Sequence, residues 1–459
     1  MTHDVAAIIL AAGKGARMKS TRAKVLHPVS GRPMVFHVLR AVCGLTPEQI
    51  LVVIDPQNGA SQSAFEGKDV KIITQNEPLG TGHAVLQAEG KARAETLLIA
   101  PGDLPLLTTE VLQTFLRHHD DHRADLSVLT MIVEKPGAYG RLVRDGAGAP
   151  IAIIEARDAS EEELEILEVN TGIYCVRNDD FLWHTLASLD AGNAQGEYYL
   201  TDLVERYNKA ERRVMAFPVG DVKAVMGVNS RYELAEADRT MRLEKIEELM
   251  ASGVTIIDPE RTYIDSEATV GADTTILPGT HLVGASTIGE RCIIGPDAWI
   301  ERSTIEAGCR VWYAAIEESR VRENTSVGPY AHLRPGADVG PDGRIGNFVE
   351  VKASRVKRGA KAGHLTYLGD AEVGEDANIG AGTITCNYDG EKKHRTTIGD
   401  RAFIGSNAAL VAPIRIGNDA VIGAGSTITE DVPPGTLALG RVRQVIKALK
   451  KKPKEEEGA

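Results

Sequence analysis

The sequence predicts two architectures in series, an α/β domain followed by a parallel β-helix, and two patterns predict it. Through the first half, apolar strand-like runs alternate with helical stretches, the mark of an α/β domain. Through the second half, an aliphatic residue recurs every six positions, a period that fits neither an α-helix nor a two-faced strand. The expected division is 1–230 for the α/β domain, 231–251 for a linker helix, and 252–459 for the β-helix with a mobile tail.

In the first part, strand-like runs are Val5–Leu10, Ile50–Asp55, Val70–Gln75, Thr96–Ala100 and Leu126–Val133, with helical patterns at about Gly82–Ala94 and Thr109–His119. This predicts a mainly parallel sheet with ligands at the C-terminal ends of its strands. For the linker, Ser230-x-x-Glu233 reads as a capping box and Gly253 as a stop. Leu234, Met241, Ile246 and Leu249 form one loose apolar stripe.

The six-residue beat begins at Val270 and recurs at Ile276, Leu282, Ile288, Ile294 and Ile300. It returns from Val321 to Val351 and from Ile398 to Ile428. Such hexads form the flat faces of a β-helix, each aliphatic side chain stacking on its copies in neighbouring coils. Residues four places on are small, as at Thr274, Ser286, Cys292 and Ala402, and fit the interior near corners. A glycine after many of the aliphatics, as at Gly289, Gly295, Gly340 and Gly405, is expected to permit tight turning. Three hexads make a coil advancing about 4.8 Å, so residues from about 254 to 437 give around ten coils, on the order of 50 Å. Function is expected where the beat fails: a slip near Val356–Val373, which holds His364 and Tyr367, and an outright break between Thr385 and Thr397.

A formal net charge of −12 argues against a general nucleic-acid or membrane-surface binder. Five widely spaced cysteines without a C-x-x-C argue against a disulfide framework or zinc site and point to a reducing cytoplasm. No stretch reaches membrane-spanning length, and Val5–Ala12 reads as a buried strand rather than a signal peptide. The tail after Val445 is Lys-rich and then Glu-rich; a solvated end is the plain reading, and a basic hand for a phosphorylated ligand is the second.

The first strand runs into LAAGKGARM at residues 10–18. A glycine loop there turns backbone N–H groups toward an anion, and Arg17 and Lys24 supply positive charge for a triphosphate. It is neither G-x-G-x-x-G nor a Walker loop, and alone such a loop can be a mere turn. Asp103, at a strand end, is a natural Mg²⁺ ligand or, more plainly, a cap. The whole set is more specific. LAAGKGARM, Lys24-Val25-Leu26, Gln75 before Leu79-Gly80-Thr81-Gly82-His83-Ala84, Pro101-Gly102-Asp103-Leu104-Pro105-Leu106, Tyr139-Gly140-Arg141, Glu155, Glu168–Ile173 and Gly227-Val228-Asn229 resemble the sugar-nucleotide pyrophosphorylases. One departure is Ala16, where many relatives carry Thr. The resemblance implies a Rossmann-like nucleotidyltransferase domain. It also implies Asn229 as partner of Asp103 at Mg²⁺. Leu10, Ala11, Ala12, Gly13, Arg17, Lys24, Gln75, Gly80, Thr81, Pro101, Gly102 and Asp103 are then expected around the nucleotide, and Gly140, Glu155 and Asn170 around the sugar.

The second half adds His332-Leu333-Arg334-Pro335, Phe348–Lys352, Gly363–Asp370, Asn378–Thr383 and Asn387-Tyr388-Asp389-Gly390. With the first half, these closely resemble, over nearly the whole chain, the bacterial bifunctional enzymes that make UDP-N-acetylglucosamine for peptidoglycan and lipopolysaccharide. What that resemblance implies is acetyl transfer from acetyl-CoA to glucosamine 1-phosphate, then uridylyl transfer from UTP. His364 would be the general base, an imidazole being suited to proton transfer near neutrality, although a lone His among twelve is ordinarily structural. Arg334 and Lys352 would bind the sugar phosphate, and Tyr367 and Asn378 the sugar. Asn387 and Tyr388 would complete the site and, with Ala381, Ser406, Ala424 and Arg441, contact acetyl-CoA. The relatives are homotrimers with left-handed β-helices and acetyltransferase sites shared between subunits. Two other readings stand beside this one: a monofunctional pyrophosphorylase with a structural β-helix, and a regulatory binding protein on a degenerate enzyme frame. The 385–397 insertion and His364-x-x-Tyr367 argue against the first, and Lys24, Asp103 and Asn229 against the second.

Overall fold

The computed structural model describes residues 4–13, 15–57 and 59–448. Lys14 of the glycine loop and the tail from residue 449 onward lie outside the described residues. Two compact units are present, Met1–Arg242 and Leu243–Ala459, and the helix Arg231–Ala251 runs across their division.

The first unit is built on a twisted sheet. Its strand path is Val214–Pro218, Leu126–Ile132, Glu168–Arg177, Thr96–Pro101, Val5–Ala11, Gln49–Ile54 and Lys71–Thr74. The first strand is central because it is apolar on both faces. Val5, Ala7 and Ile9 enter one core, and Ala6 and Ile8 the other, as a strand covered on both sides requires. It pairs in parallel with Gln49–Ile54 and with Thr96–Pro101. The expectation of a mainly parallel sheet needs one correction. Glu168–Arg177, read in the sequence only as a motif, is a strand antiparallel to both neighbours, with a register shift between Asn170 and Ile173. The helix expected over 82–94 spans only Thr81–Leu86. Beyond it the chain tightens into three-residue turns, with Ala88 N–H donating to Val85 O and Lys91 N–H to Ala88 O, and Gly90 takes φ +65°. Thr108 caps the next helix, Thr109–Asp121, by accepting from Val111 N–H at 3.3 Å.

At the start of Arg231–Ala251, Ser230 Oγ accepts from Glu233 N–H at 3.2 Å. The Glu233 carboxylate closes on Asn229 N–H at 2.6 Å rather than on Ser230, so the expected reciprocal box is displaced by one residue. Gly253 follows the helix at φ +96°.

The second unit is a three-faced parallel β-helix of 11-, 10- and 9-stranded sheets. Every third strand pairs in parallel with its copy one coil on, so Ile276 lies over Ile294 and Leu282 over Ile300. These aliphatics form one continuous core from Ile246 to Val432. Between the regular stretches the beat is looser than six: the inward series Ile300, Ile305, Val311, Ile316, Val321 advances by five or six and stays buried. The slip expected near Val356–Val373 is of this kind. Ala362, Leu368 and Val373 point inward there, and Lys361–His364 pairs in register with Arg344–Asn347 and with Asn378–Ile379. His364 therefore stands on an unbroken coil. The second break is real: residues 387–395 leave the prism as a loop closed by a Tyr388–Lys393 bridge, while Thr385 keeps an inward place.

Most of the repeated glycines have a different cause from the turning expected of them. A Cβ on Gly289 would stand 2.6 Å from Ala307 N, and one on Gly405 2.5 Å from Ala424 N, both backbone of the next coil. Of those named above, only Gly295 has positive φ. Gly289→Ala should therefore destabilise the C-terminal unit by about 1–3 kcal/mol, the usual cost of forcing an extra carbon into a packed interior. Denaturant unfolding followed by circular dichroism measures the shift.

Candidate active sites

In the first unit, parallel pairing brings Leu10 level with Pro101, and Gly102 N–H donates to Leu10 O at 2.8 Å. The glycine loop and the Pro101–Asp103 turn thus leave the same edge of the sheet. A cleft of about 510 Å³ opens there, lined by Gly15, Arg17, Lys24, Glu155 and Asn229 among others. A deeper pocket of about 220 Å³ shares Lys24 and Glu155 with it and adds Leu10, Gly13, Thr81, Pro101, Asp103 and Asn170. Gly15 packs against Lys24 in a left-handed conformation, φ +57°, with no room for a side chain.

Lys24 is the electrostatic centre of this cleft. Its Nζ donates to the Asp103 carboxylate and, at 3.0 Å, to Asn229 Oδ1. Asp103 and Asn229 lie 126 residues apart in sequence yet present two oxygens to one cation. Val228 N–H donates to Asp103 O at 3.0 Å and fixes that approach. Of the other expected residues, Ala11 and Ala12 are buried at the strand end. Gly80 has no room for a side chain beside Tyr198 O. Gln75 is buried and donates from Nε2 to Gly80 O. Gly140 packs on Glu155, and its carbonyl accepts from Asn170 N–H at 2.9 Å.

The inner wall is acidic. Burial pushes the Glu155 carboxyl up, with Asp158, Asp202 and Glu197 adding repulsion, while a hydrogen bond from Thr201 at 3.2 Å opposes it. Asp202 is raised to about 6, again chiefly by burial and then by Asp190.

In the second unit, the register stacks one corner of the prism into a column. Lys361 lies over Asn378, then Phe403, Val421 and Leu437. Three residues on in each coil stand His364, Ala381, Ser406, Ala424 and Gly440, the last followed by exposed Arg441. Asn407 N–H donating to Ala381 O and Gly425 N–H to Ser406 O hold that alignment. His364 Nδ1 meets Asn347 Oδ1 at 2.5 Å. An amide oxygen only accepts, so the ring proton belongs on Nδ1 and Nε2 is left as the acceptor. The adjoining face carries Tyr367, and at its far edge Lys352 lies over Gly369. The Arg334 guanidinium donates to Glu350 Oε1 at 2.8 Å. Gly369 leaves space for the Tyr367 hydroxyl and the Asn387 amide, and Asn387 donates to Asp370. Tyr388 OH donates to Gly390 O at 2.5 Å within the inserted loop. Asn378 lies on a different sheet from Tyr367, the one that carries His364.

The family models that match are a MobA-like NTP transferase domain over residues 7–192, a bacterial transferase hexapeptide of six repeats over 267–302, and a hexapeptide repeat of succinyl-transferase over 395–430. The chain is 45% identical over 443 residues to the bifunctional protein GlmU of Brevibacillus brevis, covering 96% of each. It is 47% identical over 440 residues to that of Carboxydothermus hydrogenoformans, covering 96% of this chain and 98% of the relative. With the GlmU of Pelobacter propionicus, identity is 47% over 447 residues, covering 96% and 97%. The chain belongs to the GlmU family. It is a bifunctional transferase, with a nucleotidyltransferase domain and a hexapeptide acetyltransferase domain.

Within this GlmU frame, the structure adds residues that sequence reading missed. Asn347 holds the His364 ring, and its signal was weak, a polar residue at the end of a strand one coil earlier. Lys393, on the inserted loop, is drawn so close to Lys352 that its ammonium is held below the usual lysine range. The Glu-Lys-Lys-His run of the insertion was its visible trace. Thr201 and Asp202, behind Glu155, carried no motif.

The acidic wall gives a pH prediction. Asp202 is raised in the fold, so its ionisation opposes folding above about pH 6, and the penalty fades as pH falls toward the ordinary carboxylate range. Asp202→Asn should raise the melting temperature at pH 8, with the gain shrinking between pH 6 and about 4; thermal melts across that range measure it.

Proposed function

We propose that the chain makes UDP-N-acetylglucosamine in two steps. Its C-terminal unit acetylates glucosamine 1-phosphate from acetyl-CoA, and its N-terminal unit transfers UMP from UTP to N-acetylglucosamine 1-phosphate. The observation that carries this reading is the presence of two separate polar constellations, one around Lys24 and one around His364. We assign residues 1–230 to uridylyl transfer, 231–251 to a linker helix and 252–459 to acetyl transfer.

In uridylyl transfer, a phosphate oxygen of the sugar attacks the α-phosphorus in line. A new P–O bond forms, the bond to the β-phosphate breaks, and pyrophosphate leaves. Such a transfer needs positioning and charge neutralisation rather than a covalent nucleophile. Arg17, Lys24 and the loop N–H groups meet the phosphates, Gln75, Gly80 and Thr81 hold the base, and Gly140, Glu155 and Asn170 hold the sugar. The Asp103 and Asn229 oxygens already share one cation, the Lys24 ammonium. A carboxylate and an amide oxygen are the hard donors Mg²⁺ takes alongside phosphates and water, so these two residues would hold it. When bound, Mg²⁺ supplies charge neutralisation at the phosphates.

In acetyl transfer, the sugar amine attacks the thioester carbonyl, the C–S bond breaks and CoA leaves as the thiolate. His364 Nε2, left free by Asn347, takes the amine proton. Arg334, Lys352 and Lys393 gather at the far edge of the adjoining face, about 10 Å away along a three-residue strand, a span suited to a hexosamine phosphate. Two crowded ammoniums would be relieved by a dianion. Tyr367 and Asn378 hold the sugar, and Asn387 and Tyr388 complete the site against acetyl-CoA. Ala381, Ser406, Ala424 and Arg441 track acetyl-CoA along the column.

We further propose a homotrimer with shared acetyltransferase sites. Tyr313, Tyr330 and Phe348 stack along an exposed edge at 5.5 and 5.6 Å, and Leu365, next to His364, continues it at 61% exposure. Such an apolar ladder calls for a partner. No helix among the described residues is long and apolar enough to cross a membrane, and all five cysteines are free, which supports action in the cytoplasm.

His364→Ala should slow CoA release about 10²–10⁴-fold, the usual worth of a general base, with pyrophosphate release almost unchanged. Asp103→Ala should do the converse, and equal loss of both activities in either variant would refute two sites. Phe348→Glu should yield monomers by light scattering, without acetyl transfer but with uridylyl transfer intact.

A further inference from the structure

Gln75 follows the strand Lys71–Thr74, its N–H donating to Ile54 O at 2.9 Å, and the residue is 4% exposed. Its Nε2 lies 3.1 Å from Gly80 O and 3.0 Å from His83 Nδ1. A backbone carbonyl only accepts, so the nitrogen end of the amide faces this pair, and His83 Nδ1 must be the unprotonated, accepting nitrogen. The imidazole is then neutral, with its proton on Nε2. That nitrogen faces Gln87, whose Nε2 is 3.1 Å away and also donates to His83 O at 3.1 Å. One imidazole cannot accept from both amides. Gln87 is only half-buried and can turn its oxygen to the ring N–H at the cost of its bond to His83 O, whereas Gln75 is buried between two acceptors. The surrounding backbone is clamped: Tyr198 N–H donates to Leu79 O and Gly82 N–H to Tyr198 O, both at 2.8 Å. Thr81, next to Gly80, lines the pocket that holds Asp103.

We propose that His83 is a positioning residue for nucleobase selection: it locks the Gln75 amide in one orientation, so that the amide offers the base a single hydrogen-bond polarity. The proposal rests on the reading of Gln75 as a nucleobase contact. Uracil presents a carbonyl at C4 and a donor at N3, and cytosine presents an amino group and an acceptor at the same places. A fixed amide matches only one of these patterns. Without His83, Gly80 O alone holds the nitrogen end, and the amide turns over more readily to match the other.

The test compares kcat and KM for UTP and CTP in the full-length enzyme, with acetyl transfer in the same preparation reporting that the chain is folded. In His83→Ala, the KM for UTP should rise and the UTP-over-CTP ratio of kcat/KM should fall, each about tenfold, as expected for one hydrogen bond, with kcat for UTP within about twofold. His83→Asn, whose Oδ1 stands near the place of Nδ1, should restore most of the ratio. In a Gln75→Leu background, His83→Ala should change the ratio no further. An unchanged ratio in His83→Ala, an equal loss for both nucleotides, or a further fall in the Gln75→Leu background would overturn the proposal. A wild-type enzyme that turns over no UTP would instead overturn the uridylyl-transfer reading itself.

Discussion

Parallel backbone pairing is the constraint on which both sites depend. In the second unit, each coil donates its N–H groups to the next, and this register lifts His364, Ala381, Ser406 and Ala424 into one column although 17 to 25 residues separate neighbours. In the first unit, the pairing of Val5–Ala11 with Thr96–Pro101 sets Leu10 beside Pro101, and the glycine loop then faces Asp103. Side chains contribute the chemistry, but hydrogen-bonded strands decide which of them meet.

Close backbone approach has its own cost in side chains. Where coils stack, the glycine after an inward aliphatic stands so near the next coil that a Cβ would overlap main-chain atoms. These glycines are a packing requirement, unlike Gly15, whose positive φ belongs to a turn that presses on Lys24. The same economy appears at Gly369, where an absent side chain leaves room for Tyr367 and Asn387.

Both sites hold charge that the isolated fold would avoid. Lys352 and Lys393 repel each other, and Glu155 lies buried among Asp158, Asp202 and Glu197. Lys24, in contrast, is satisfied by Asp103 and Asn229. Crowded like charges and buried acids weaken a fold, and under the proposed function a substrate's phosphate or hydroxyl groups would relieve them.

The sequence by itself determined the two architectures, because periodicity is local: the alternation of strands and helices and the recurrence of Ile, Val and Leu are visible in short windows. It also marked Leu10–Gly13, Lys24, Asp103 and His364, which sit in dense motifs. Only the tertiary structure decided what lies between distant segments. It showed that the slip expected at His364 is an unbroken coil, and that the strand Glu168–Arg177 runs antiparallel. It also showed that Asn347 holds the His364 ring, that Lys393 returns to Lys352, and that His83 grips Gln75. Each of these depends on register across the sheet or the prism, and register is set by hydrogen bonds between strands far apart in sequence.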